Sequence, residues 1–290
     1  MRIRATVAAV SGALALTALA VPASQAAQTH DDRPALKLPT ASWAQGASGA
    51  PKADNRSARA AQAAPVISKT VVNGGKPIVV GTTVAKKVSV SITASDDSGI
   101  EDAFALIWTG GSDINDENSY GFVPEEEAAT CKAASATTST CTLTFVIDPL
   151  LLWNTDAKTW KVYSAALSKD VEVVEKQSAA TVKFQRLSRL TVNAAPEPVK
   201  KGKTITVTGK LDRANWDTNK YAGYASQPVK LQFRKKNSNT YTTVKTVKGT
   251  NTGALKTTVK AAQDGYWRWS FAGTATTPAV NATGDFVDVK

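Results

Sequence analysis

Along most of the chain apolar and small hydroxylated residues take turns with a period of two. In Val88-Ser89-Val90-Ser91-Ile92-Thr93 every second side chain is apolar, which on an extended backbone puts all of them on one face. The same period recurs in Leu143-Thr144-Phe145-Val146-Ile147, in Trp160-Lys161-Val162 and in Val182-Lys183-Phe184. After Leu190 it returns in Ile205 to Thr208, Val229 to Phe233, Leu255 to Val259, Trp267 to Phe271 and Phe286 to Val289. Gly, Asp, Asn and Pro interrupt these runs, and no segment after residue 65 carries a helical stripe. Short strands separated by turn signals predict an all-β sandwich or barrel.

The pattern divides the chain. Val72-Asn73-Gly74-Gly75-Lys76-Pro77 precedes the Val88 strand much as Val192-Asn193-Ala194-Ala195-Pro196 precedes the Ile205 strand. Such a repeat predicts two tandem sandwiches, over residues 66–188 and 189–290. Residues 1–26 read as a signal peptide: Arg2 and Arg4, an Ala- and Leu-rich run to Val21, then Pro22 and small residues up to Ala26. Residues 27–65, rich in Ala, Ser, Gly, Asp and Arg with no apolar period, read as a flexible, disordered linker. No later stretch reaches the roughly 18 apolar residues that a membrane span needs, so a secreted, extracellular protein is expected.

Composition then removes chemistry. Among 290 residues there is one histidine, His30 in the linker, and two cysteines, which leaves no material for histidine triads or zinc cages. Cys131 and Cys141 are separated by small and polar residues apart from Lys132; in an oxidising compartment they are expected to pair as a disulfide that staples a surface loop. No nucleophile elbow, phosphate loop or dinucleotide fingerprint occurs.

Charge separates the two units. Residues 66–188 carry a net −4 and residues 189–290 a net +11, the latter from 17 basic and 6 acidic side chains. Between Val88 and Cys131 ten acids occur without a single Lys or Arg. Crowded carboxylates repel one another, and a hard divalent cation relieves that repulsion through oxygen ligands. Calcium is therefore the candidate cofactor, set against a plain solvated acidic face, with Asp96, Asp97, Glu101, Asp102, Asp113, Asn115, Asp116 and Glu117 as candidate ligands. Asp113-Ile114-Asn115-Asp116-Glu117-Asn118-Ser119 resembles the start of a calcium loop, and its first four residues resemble the calcium linker of cadherins, although Asn118 stands at the usual glycine position and Pro124 at that of the bidentate glutamate. Paired acids also raise glycoside hydrolysis as an alternative.

In the second unit Lys200-Lys201-Gly202-Lys203 and Arg234-Lys235-Lys236 form turn-like basic clusters. Their field would attract an anionic wall polymer or polysaccharide, with no motif for sequence-specific nucleic-acid recognition. Trp267, Trp269 and Phe271 alternate as a sandwich core requires, whereas Trp216, Tyr221 and Tyr224 fall in a longer loop and are expected to offer exposed contacts.

Ser91-Ile92-Thr93-Ala94-Ser95-Asp96-Asp97-Ser98-Gly99-Ile100 resembles the strand and turn of bacterial immunoglobulin-like domains, and Thr159 to Ala165 resembles their penultimate strand. Pro228 to Arg234 followed by Gly265 to Gly273 is similar to a second immunoglobulin-like type. The whole resembles secreted two-domain proteins of high-GC Gram-positive bacteria, some of them labelled calcium-binding. That resemblance implies two immunoglobulin-like sandwiches without catalysis, acting at the cell envelope or outside it, or else an adhesin that uses the basic domain.

Overall fold

The computed structural model describes residues 64–290. The expected signal peptide, and the linker up to residue 63, lie outside the described residues. The rest is built almost wholly from strands, in two tandem immunoglobulin-like β-sandwiches. No helix among the described residues is long and apolar enough to cross a membrane.

The first sandwich comprises β1 (Val66–Val72), β2 (Ile78–Val80), β3 (Lys86–Ser95), β4 (Ile100–Thr109), β5 (Tyr120–Phe122), β6 (Thr130–Ala133), β7 (Thr138–Ile147), β8 (Thr159–Ser168) and β9 (Val173–Arg186). One sheet runs β1-β3-β7-β6 and the other β2-β9-β8-β4-β5. The alternation sets the register: Val88 lies opposite Phe145, Val90 opposite Leu143 and Ile92 opposite Cys141, and all six are buried. From the second sheet Trp160 stacks on Phe184 with ring centres 4.3 Å apart. Strand β4 departs from the pattern, because Ala103 to Thr109 is buried without interruption. Its outward residues Phe104, Leu106 and Trp108 form a separate small cluster with Tyr163, Ala165 and Ile114 of the following loop.

The expected disulfide is present, but it joins two paired strands rather than closing an irregular loop. Cys131 and Cys141 are direct cross-strand partners in the β6–β7 hairpin; they are disulfide-bonded, and Cys141 is fully buried.

The second sandwich comprises β10 (Ser188–Leu190), β11 (Asn193–Ala195), β12 (Thr204–Asn215), β13 (Lys220–Gly223), β14 (Pro228–Lys235), β15 (Thr242–Lys248), β16 (Ala254–Lys260), β17 (Gly265–Phe271), β18 (Val280–Asn281) and β19 (Asp285–Val287). The long strand β12 pairs with β10, β11, β13 and β16, and faces a sheet ordered β15-β14-β17-β18 with β19 also on β17. Trp267, Trp269 and Phe271 point into this core as expected. The Trp269 indole donates to the Thr208 carbonyl at 2.9 Å across the layers. Gly209 leaves the room for it, since a Cβ there would sit 2.6 Å from the Trp269 ring.

The β12–β13 hairpin overturns one expectation. Trp216 is no exposed contact: only 2% accessible, it belongs with Ala214 to the core of the first sandwich. Its indole donates to the Gly81 carbonyl at 2.8 Å and its amide to the Asn154 side chain at 3.0 Å. Tyr221 packs against the same core and carries the Arg189 guanidinium 3.4 Å above its ring. Tyr224 packs instead on the second core, beneath Arg213 at 3.8 Å. Asn154 also donates to Asp217 and Asn215, each at 2.8 Å. Arg186, the last residue of β9, donates to the Ala214 carbonyl. Burial, followed by the charge of Arg213, pulls its guanidinium down to about 10, with Asp217 pulling the other way.

Candidate functional site

Two turns meet at one end of the first sandwich. The β3–β4 turn contributes Asp96, Asp97 and Ser98, and the β8–β9 turn contributes Asp170. The first turn is tight because Gly99 adopts φ +90° and a Cβ there would lie 2.9 Å from the Ala136 carbonyl. A backbone bond from Lys169 to the Gly99 carbonyl, 3.0 Å, ties the second turn to the first.

One oxygen from each of Asp96, Asp97 and Asp170 lies within 4.8 Å of the others. Asp96 is buried, Asp170 half-buried and Asp97 exposed. The Ser98 hydroxyl reaches both neighbours, at 2.6 Å from Asp96 and 3.0 Å from Asp170. The Ser98 amide donates to Asp96 as well, at 2.9 Å, and the Ser168 hydroxyl donates to Asp170. The corner thus presents hard oxygen donors and concentrated negative charge at the surface.

Of the eight candidate ligands, only Asp96 and Asp97 converge. Asp102 accepts from the amides of Ala103 and Ala129, at 2.7 and 2.9 Å, and so anchors the segment before β6. Glu101, Asn115 and Glu117 are exposed and belong to no such carboxylate group among the described residues. Asp113 caps its own turn by accepting from the Asn115 amide at 2.8 Å. Asp116 accepts from the Ser112 and Asn118 amides, both at 2.9 Å, and from both of their side chains. These donors, the Ser112 amide foremost, hold its carboxyl at about 2. The resemblance to a calcium loop therefore has a local cause: turn-capping acids close a loop whose Ile114 covers Trp108. Asp170 was missed because it lies 72 residues beyond Ser98, in a short turn whose acids, Asp170 and Glu172, make no motif of their own.

Among the acids after Val123, Glu126 is used structurally too. Burial raises the Glu126 carboxyl, but the Thr144 amide, 2.8 Å away, together with the Thr144 hydroxyl and the charge of Lys87, brings it below its usual value. In the second sandwich Lys200, Lys201 and Lys203 are exposed around the turn before β12, while Arg234 and Lys235 end β14 with Lys236 just beyond.

Residues 80–166 match a family of unknown function, DUF5707. Among curated proteins nothing matches. Several solved structures are similar. Fibronectin(III)-like modules of CbhA from Clostridium thermocellum share 8% identity at a TM-score of 0.35, over 76% of this chain and 92% of that one. The D00-D0 domain of intimin shares 14% at 0.25, over 75% and 98%. The mouse nectin-like molecule 4 ectodomain shares 12% at 0.25, over 79% and 65%. The fold assignment rests on the sheets described above.

Proposed function

We propose that this protein is an exported, non-catalytic module of the cell envelope or the extracellular space that binds or spaces other components. The observation that carries this reading is Trp216. A side chain of the second sandwich completes the core of the first, so the two can act as one body with surfaces at a set separation. Export is supported by the leader-like residues 1–26, and the Cys131–Cys141 disulfide is compatible with an oxidising compartment. The hydrolase alternative is not adopted, because the acids that converge serve the serines of their own turns.

The coupling is tested with W216A, which should cost about 3–5 kcal/mol and lower the hydrogen-exchange protection of β3 and β8, strands of the other sandwich. Loss of protection confined to β12 to β19 would reject the one-body reading.

A second reading concerns calcium, transferred to the corner of Asp96, Asp97 and Asp170. Three carboxylate oxygens within 4.8 Å fit an ion that takes roughly six to eight oxygens, with water completing the shell. Titration calorimetry at millimolar calcium should give heat and a raised melting temperature, lost in D170N and retained in D116N. Absence of heat from the unsubstituted protein would remove calcium from the account.

A further inference from the structure

The outer face of the sheet built on β14 and β17 carries side chains for which the core has no use. The alternation that buries Leu231, Trp267, Trp269 and Phe271 sends Gln232, Arg234, Tyr266, Arg268 and Ser270 to the other side. Cross-strand register sets Arg234 opposite Tyr266 and Gln232 opposite Arg268, with Phe286 of β19 opposite Tyr266.

These residues form an interlocked layer. The Arg268 guanidinium lies 3.8 Å from the centre of the Tyr241 ring. Arg234 lies 3.7 Å from Tyr266 and 5.4 Å from the same Tyr241. Two cations therefore share one ring. Each is also fixed by hydrogen bonds that leave other N–H groups over: Arg268 Nε donates to Gln232 at 2.9 Å, and Arg234 donates through Nη1 alone, to the Ser238 carbonyl at 2.8 Å and the Lys236 carbonyl at 3.5 Å. Among the described residues no carboxylate lies within 4.0 Å of either guanidinium; the acid nearby, Asp264, pairs with Lys236 at 3.6 Å. Neighbouring like charges repel, and an incoming anion relieves that repulsion.

From this face we infer a binding site for an acidic polysaccharide, whose carboxylates are taken by the free N–H edges of Arg234 and Arg268. The inference rests on reading the chain as a binding module. Guanidinium edges fork onto carboxylates, and an open sheet face with two such edges side by side suits a linear polymer. Sugar carboxylates fit better than nucleic acid, because Tyr241 and Tyr266 are already stacked by guanidiniums, leaving less open ring surface for bases. Charge agrees, with 17 basic against 6 acidic residues in positions 189–290.

The test is fluorescence anisotropy of the full chain with labelled polygalacturonate. Binding at 50 mM salt is expected, weakening by 200 mM. R234Q/R268Q should lose about tenfold or more in affinity, whereas K256Q/K260Q, which removes equal charge from exposed positions on the opposite sheet, should lose less than about threefold. R234K/R268K, which keeps the charge but not the fork, should also lose affinity with its melting temperature retained; this keeps the test valid if the glutamine pair unfolds. Equal losses in the two charge-removing pairs, undiminished binding by the lysine pair, tighter binding of single-stranded DNA, equal binding of neutral dextran, or no binding at all would each overturn the inference. A failure here leaves the W216A result untouched, so the two readings fall separately.

Discussion

Asp116 illustrates how far the role of a single residue can sit from its apparent motif. In sequence it belongs to a run of oxygen-bearing side chains; in the fold it gathers donors from Ser112 and Asn118 and closes its own loop. Its carboxyl is held at about 2, mainly by the Ser112 and Asn118 amides. Since the folded value lies below the roughly 3.9 of an unfolded chain, the charge favours the folded state above about pH 4, and that contribution disappears as the pH falls to about 2. The difference in melting temperature between the unsubstituted protein and D116N should be constant from pH 5 to 7 and close over that acid range. A difference unchanged at pH 2 would show that the ionised carboxylate is not what these amides favour.

At the scale of elements, legibility depended on which faces are covered. Strand β17 shows strict alternation because one face meets the core and the other meets solvent. W269A should therefore cost about 3–5 kcal/mol in urea unfolding, through lost packing and loss of the bond to Thr208; a cost under about 1 kcal/mol would contradict a core role. Strand β4 escaped the period-two reading. Loop residue Ile114 covers its outer cluster, and a strand buried on both faces reads as an unbroken apolar run. The cysteines were misplaced for a related reason: the small and polar residues between them suggested a loop, whereas a short turn lets β6 and β7 pair directly.

At the scale of the whole molecule the unexpected feature is the joint. The described residues fall within one compact unit, and the W216A experiment belongs to this scale because its effect should be read in strands far from the substitution. Trp216 follows Asn215 at the end of β12 and precedes polar Asp217 and Thr218. In sequence that is an isolated aromatic in a loop, which ordinarily faces solvent. Here the first sandwich leaves a place for it beside Gly81 and Asn154, and no pattern local to residue 216 can signal a place between loop segments more than sixty residues away.

The sequence by itself determined the all-β class, the sandwich cores and the contrast between an acidic and a basic half, because alternation and charge are properties of neighbouring residues. Tertiary structure alone decided which acids meet, which arginines share a tyrosine and where Trp216 is buried. Those are encounters between distant segments, fixed by sheet register and packing, and a one-dimensional pattern contains no distance between them.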